Sequence, residues 1–154
     1  MRSLLSVTIF LAVLVPAFAK DRIAGPIEAR IIKVQDGDSL IVLARIWPGQ
    51  DVRAHVRLRG LDAPELRAKC EAERIHARLS RDYLRQLTDG RRIYLKRIEA
   101  GKYFGRVLAD VSGKDGTDFA DLMVQSGLAR PYQGRRRGSW CKGIEVTGIK
   151  RIIP

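Results

Sequence analysis

The sequence is short of most residues that would declare its chemistry at once. It has two cysteines, Cys70 and Cys141, and two histidines, His55 and His76. Without a C-x-x-C or a histidine pair beside them, the cysteines do not read as a zinc site. Neither histidine has a partner pattern, so both read as surface residues. No internal repeat or low-complexity tract is present, and with 45% hydrophobic residues the chain reads as globular. Long apolar runs are missing too: the twelve residues from Leu4 to Val15 are too few to span a bilayer comfortably. The largest shortage is of negative charge. Lys and Arg number 29 against 17 Asp and Glu, a net charge of +12.

That surplus implies a polyanionic partner, nucleic acid or an anionic membrane surface, and charge alone does not choose between them. At 154 residues there is room for one domain with a modest core. Arg2, the apolar run and Ala17-Phe18-Ala19 follow the pattern of a signal peptide over residues 1–19, so export to a periplasm or the exterior is expected. No stable membrane insertion is expected after its removal; an uncleaved anchor is the alternative. Losing Arg2 leaves +11. An exported chain can form a disulfide, and Cys70–Cys141 pairing is favoured over two separate buried thiols. It would close a loop of about 70 residues, worth roughly 4 kcal/mol by chain entropy.

Residues 20–25 read as a polar lead-in. From Pro26 to Val34 the apolar parity shifts, Ile27, Ala29 and Ile31 on one face and then Ile32 and Val34 on the other, which predicts a bulge. Asp36-Gly37 is a hairpin-turn signal before an apolar strand over 39–46. A third strand alternates Val52, Ala54, Val56 and Leu58 with Arg53, His55, Arg57 and Arg59, giving a half-buried strand with a cationic outer face. Residues 66–87 change to helical spacing, with Ala72, Ile75, Leu79, Tyr83 and Leu87 as the apolar stripe. Strands over 91–98 and 105–111 follow, then a second helix with Thr117 as cap and Asp118 in its first turn. This order fits an α+β fold, a five-stranded Greek-key β-barrel of the OB type with two helices. Past Arg130 periodicity ends, and Arg135-Arg136-Arg137 is a charge run.

Four motifs recur in order: D-G-D-S at 36–39, R-L-R-G-L-D-A-P-E at 57–65, Y-F-G-R-V-L-A at 103–109 and S-G-L-A-R at 126–130. With them the chain resembles the staphylococcal-nuclease (thermonuclease-like) family over about residues 26–141, with 142–154 as a tail. The family has the OB-type barrel. The resemblance implies a metal-dependent nuclease with calcium, or another divalent cation, as cofactor, acting on DNA, with RNA as the second candidate substrate, at low sequence specificity and leaving 3′-phosphates. It implies Asp38 and Asp62 as metal carboxylates, with the Ala63 carbonyl as a third ligand. Neighbouring strands lie only about 5 Å apart, so the two carboxylates can converge. Glu65 corresponds to the general base, and Arg57 and Arg106 to the phosphate-clamping arginines, whose planar fork suits a phosphorane.

Some residues depart from the family's pattern. Ala63 replaces its usual threonine, keeping a carbonyl but losing a hydroxyl. Phe104 takes the place of a tyrosine before Gly-Arg, and Tyr103 shifts one residue earlier. Tyr132 falls near a base-stacking position, with a packing tyrosine as the alternative. Asp36 is either an outer support or a turn former, and Arg59 a solvated neighbour or general DNA contact. Glu65 could instead be a helix-terminal carboxylate. A monomer is expected. The alternative to an enzyme is a non-catalytic OB-fold nucleic-acid-binding domain, which would have no need of Glu65.

Overall fold

A computed structural model describes residues 21–103 and 105–141. The signal peptide expected over 1–19 and the tail expected over 142–154 lie outside the described residues, as do Lys20 and Phe104. Five strands close the barrel: β2 (Ile27–Asp36), β3 (Ser39–Trp47), β4 (Gln50–Leu58), β6 (Arg92–Ala100) and β7 (Arg106–Ser112). The order is β6-β2-β3-β4-β7, and β6–β7 pairing closes it. All neighbours are antiparallel except β4 and β7, whose parallel pairing makes the Greek-key crossing. Helices α1 (Glu71–Thr88) and α2 (Phe119–Gln125) pack outside the sheet. The α+β, OB-type fold is therefore as expected.

The bulge expected from the parity shift is present, with register breaks between Ile31 and Lys33 and again between Val34 and Asp36. Such breaks sharpen the twist a small barrel needs to close. Three two-residue strands were not foreseen. β1 (Arg22–Ile23) pairs with β6, so the lead-in adds an edge strand. β5 (Leu61–Asp62) pairs with β8 (Arg130–Pro131). These strands are too short to carry a hydrophobic period.

The core fills the barrel with Val42, Val56, Leu58, Ile93, Leu95 and Val111, and α2 caps it with wholly buried Phe119 and Met123. Each large side chain removed from water contributes about 2–3 kcal/mol. The cap of α2 is Asp118, whose carboxylate accepts the Ala120 N–H at 2.7 Å, rather than Thr117. Thr117 is held instead by Asp115, which accepts from its N–H and hydroxyl.

Helix α1 begins at Glu71, five residues later than its period suggested, and is rotated. Ala72 and Ile75 are exposed, while His76, Ala77, Ser80, Leu84 and Thr88 are buried. The small residues Ala77 and Ser80 allow the helix to approach the sheet closely. A Cβ on Gly37 would overlap the Ser80 hydroxyl. Leu79, Tyr83 and Leu87 of the expected stripe are half-buried and still pack against the core beside this face.

Candidate active site

The β2–β3 turn places Asp38 against β4. Ser39 is the register partner of Arg57, and the Leu58 N–H donates to the Asp38 carbonyl at 2.9 Å. The Asp38 carboxylate accepts the Ser39 hydroxyl at 2.7 Å and lies 2.7 Å from Arg57 Nη2. The same Nη2 is 4.0 Å from Asp62 Oδ1. Asp38 and Asp62 are 3% and 1% exposed, so one guanidinium bridges two buried carboxylates. The Ala63 N–H donates to Asp38 Oδ2 at 3.4 Å, tying the loop after β5 to the turn before β3. Arg57 therefore does not stand on a solvated face; its side chain is only 16% exposed.

Asp36 accepts the Asp38 N–H at 3.1 Å. Burial, and then the neighbouring Asp38 charge, push its carboxyl up to about 6. Crowded buried carboxylates are where a cation would relieve repulsion. The donor set is also suitable. Asp62 Oδ1 is buried and has no hydrogen-bond partner, and the oxygens of Asp38 and Asp62 are the hard donors that calcium or magnesium prefers. Among the described residues the only trio of His, Cys, Asp or Glu ligand atoms close enough to share an ion is Cys70, Glu73 and Cys141. Two of those atoms are consumed by the disulfide, so a soft-metal site is not favoured.

Glu65 sits beyond Pro64 in the loop before α1, more than half exposed. Its N–H donates to Glu73 at 3.2 Å and its carbonyl accepts from Ala68 at 3.1 Å. With α1 starting at Glu71, Glu65 is not a helix-terminal carboxylate. Arg106 opens β7 opposite His55 of β4 and has no carboxylate partner among the described residues. Its guanidinium carbon lies 5.9 Å from the Tyr103 ring centre. A cleft of about 720 Å³ runs past Arg57, Glu65, Arg106 and Tyr132. Tyr132 is half-buried, and its hydroxyl donates to the Arg135 carbonyl. Asp36 lines the same cleft, whereas Ala63 is buried behind it.

Two expectations fail. Arg59 is not a solvated neighbour: it pairs with Asp110 at 3.2 Å and Glu99 at 3.6 Å and donates to the Arg97 and Leu108 carbonyls. It is a strut between β4 and the β6–β7 pair. His76 is not a surface residue: it is buried, with Nε2 3.3 Å from the Gly127 carbonyl oxygen and its ring against Trp140.

Three further residues reach the site without a site role from the sequence, although Arg130 ends the S-G-L-A-R motif and Arg137 the basic run. Arg130 donates to Asp62 Oδ2 from Nε and Nη2 at 3.1 and 3.0 Å. Trp140 Nε1 donates to the same oxygen at 3.1 Å, with the Arg130 guanidinium 4.3 Å from the Trp140 ring centre. Arg137 contacts both Asp62 and Glu65. The available signal was the cysteine pair. Cys70 immediately precedes α1, and its bond to Cys141, with Cα atoms 5.9 Å apart, brings the aperiodic segment over the cleft.

Similarity to known proteins agrees with this architecture. An "uncharacterized endonuclease" of Escherichia coli is 29% identical over 113 residues, covering 72% of this chain and 65% of that protein. A protein of the same description from Escherichia coli O157:H7 matches with the same identity and coverage. The chain thus spans 65% of the length of these curated relatives. The family described as staphylococcal nuclease homologue matches residues 55–142, a span that holds Arg57, Asp62, Glu65 and Arg106 and starts after Asp38. With a closed five-stranded barrel and more than half of its length matched, the chain belongs to the staphylococcal nuclease homologue family.

Proposed function

We propose that the protein is an exported nuclease that hydrolyses phosphodiester bonds of DNA, and also of RNA, with little sequence preference and with calcium as its cation. The observation that carries this reading is Arg57 bridging two buried carboxylates, Asp38 and Asp62, beside a cleft that Glu65 and Arg106 also line. A groove that only binds polyanion is best served by cations, and every carboxylate in it opposes binding. Buried carboxylates crowded together beside such a groove are suited to holding a metal.

In this reading Asp38, Asp62 and the Ala63 carbonyl hold the cation. When bound, it supplies positive charge against the developing phosphorane. Glu65 accepts a proton from the water that attacks phosphorus; the P–O5′ bond breaks, the phosphate stays on the 3′ side, and the departing 5′ oxygen takes a proton from solvent. Arg57 and Arg106 grip the non-bridging oxygens in planar bidentate fashion, and Tyr132 offers a ring to a base. Asp36 supports Asp38 through the turn. The working domain is residues 26–141, acting as a monomer behind a cleaved leader at 1–19, with 142–154 as a tail. The Cys70–Cys141 bond supports an oxidising compartment. Among the described residues no helix is long and apolar enough to cross a membrane.

Supercoiled plasmid should be degraded by the mature protein in calcium and remain whole in EDTA. Plasmid that stays intact with every divalent cation tried, while still shifting in a gel, would overturn the enzyme reading in favour of a binding domain.

A further inference from the structure

One wall of the cleft is the segment 134–141, which forms no helix or strand yet is fixed at both ends. Before it, β8 pairs with β5, and the Tyr132 N–H donates to the Gly60 carbonyl at 2.8 Å. At its end, Cys141 is bonded to Cys70. Between these anchors Arg137 reaches the carboxylates: Nε lies 3.0 Å from Asp62 Oδ1, and Nη1 donates to Glu65 Oε1.

The two oxygens of Asp62 are not equivalent. Oδ2 already accepts three donors, two from Arg130 and one from Trp140. That exhausts its capacity. Oδ1 has no hydrogen-bond partner, and the nearest cationic atoms to it are Arg137 Nε and, more distantly, Arg57 Nη2. A divalent cation that uses Asp62 therefore has to use Oδ1, where Arg137 stands. Two cations at one carboxylate oxygen repel, and a double charge outcompetes a single one. Arg137 can leave at little cost because its side chain is 39% exposed. Its anchors keep the displaced guanidinium in the cleft that Arg57 and Arg106 also line.

We propose that Arg137 is an exchangeable cation, neutralising Asp62 and Glu65 in the metal-free protein and becoming a third substrate-gripping arginine once metal displaces it. The proposal rests on Asp62 being a metal ligand. It differs from a purely structural role in predicting effects of opposite sign on metal and on substrate.

The test is calorimetric titration of the metal-free, disulfide-intact protein with calcium alone, followed by KM for a short single-stranded oligonucleotide at saturating calcium. Arg137→Ala should bind calcium more tightly, on the order of 5-fold for one partly exposed charge. The same variant should raise KM at least about 10-fold, as for loss of a charge-assisted hydrogen bond. Arg137→Lys should keep calcium affinity near wild type. Asp62→Asn is the control on the underlying assignment. If Asp62→Asn loses calcium while Arg137→Ala binds it as wild type or more weakly, the exchange is refuted and the metal site stands. If calcium binding tightens but KM is unchanged, the substrate role falls. If Asp62→Asn binds calcium normally, Asp62 is not a ligand and both ideas fail. A melting curve for Arg137→Ala close to wild type excludes misfolding as the cause.

Discussion

Replacing Gly37 by alanine would drive a methyl group into the contact between the β2–β3 turn and α1. The new Cβ would overlap the Ser80 hydroxyl and lie 2.8 Å from Ser80 Cβ and 2.9 Å from Ala63 Cβ. Carbon atoms are unstrained only from about 3.5 Å. Both neighbours are buried, so neither can swing aside. The turn or the helix must shift, and overpacking of this kind costs about 3 kcal/mol, the upper part of its usual range. For a chain of this size that lowers Tm by roughly 6–12 °C. Asp38 follows Gly37 and Ala63 follows Asp62, so the same shift should also weaken calcium binding. Ser80→Gly removes two of the three clashes. Placed with Gly37→Ala it should recover most of the loss, less about 1 kcal/mol for a glycine within a helix. Denaturant unfolding of the two single variants and the double variant gives the coupling directly. A Gly37→Ala protein with wild-type stability and calcium affinity, or a double variant with no recovery, would refute the reasoning.

Two other perturbations probe the same region. The Asp36 carboxyl is pushed up to about 6 from 3.8, by burial first and Asp38 second. The folded protein therefore holds this proton more tightly than the unfolded chain does, and the benefit is lost as pH rises through 6. That is at most about 3 kcal/mol for a shift of this size. Asp36→Asn should then melt higher than wild type in EDTA at pH 8, with the difference vanishing toward pH 4; an equal or lower Tm at pH 8 contradicts the cause assigned. Cys141→Ser opens a loop of 71 residues and should cost about 4 kcal/mol by chain entropy, read as a fall in denaturant midpoint. An unchanged midpoint would mean that the tether adds no stability.

The barrel was legible because its strands carry strong local signals. The parity shift at Ile31 and Ile32 marks the bulge, and the alternation ending at Leu58 marks the strand that carries Arg57. The rotation of α1 was not legible. Ile75 is the most apolar residue on its turn yet is 43% exposed, because packing against Gly37 selects the small side chains of Ala77 and Ser80. Gly37 itself was read as a turn former. It does not adopt a positive φ, and its absent side chain serves close approach instead. Within the candidate site, Asp38, Arg57 and Asp62 stand out from their motifs, and the structure brings them together. Arg130, Arg137 and Trp140 carry no such sign of a site role, since only β5–β8 pairing and the disulfide bring them to Asp62. Arg59 was misread because its partners, Glu99 and Asp110, lie on strands whose pairing the sequence does not give.

The most direct test of the account is cleavage rate against calcium concentration for wild type, Glu65→Gln, Asp38→Asn and Asp62→Asn. Glu65→Gln keeps the shape of the side chain and removes the base, so it should lose at least about 10²-fold in turnover at every calcium level. The two Asp→Asn variants weaken the cation site and should be partly rescued by added calcium. Glu65→Gln cutting at the wild-type rate, or Asp variants that no calcium concentration improves, would contradict the assignment of base and ligands.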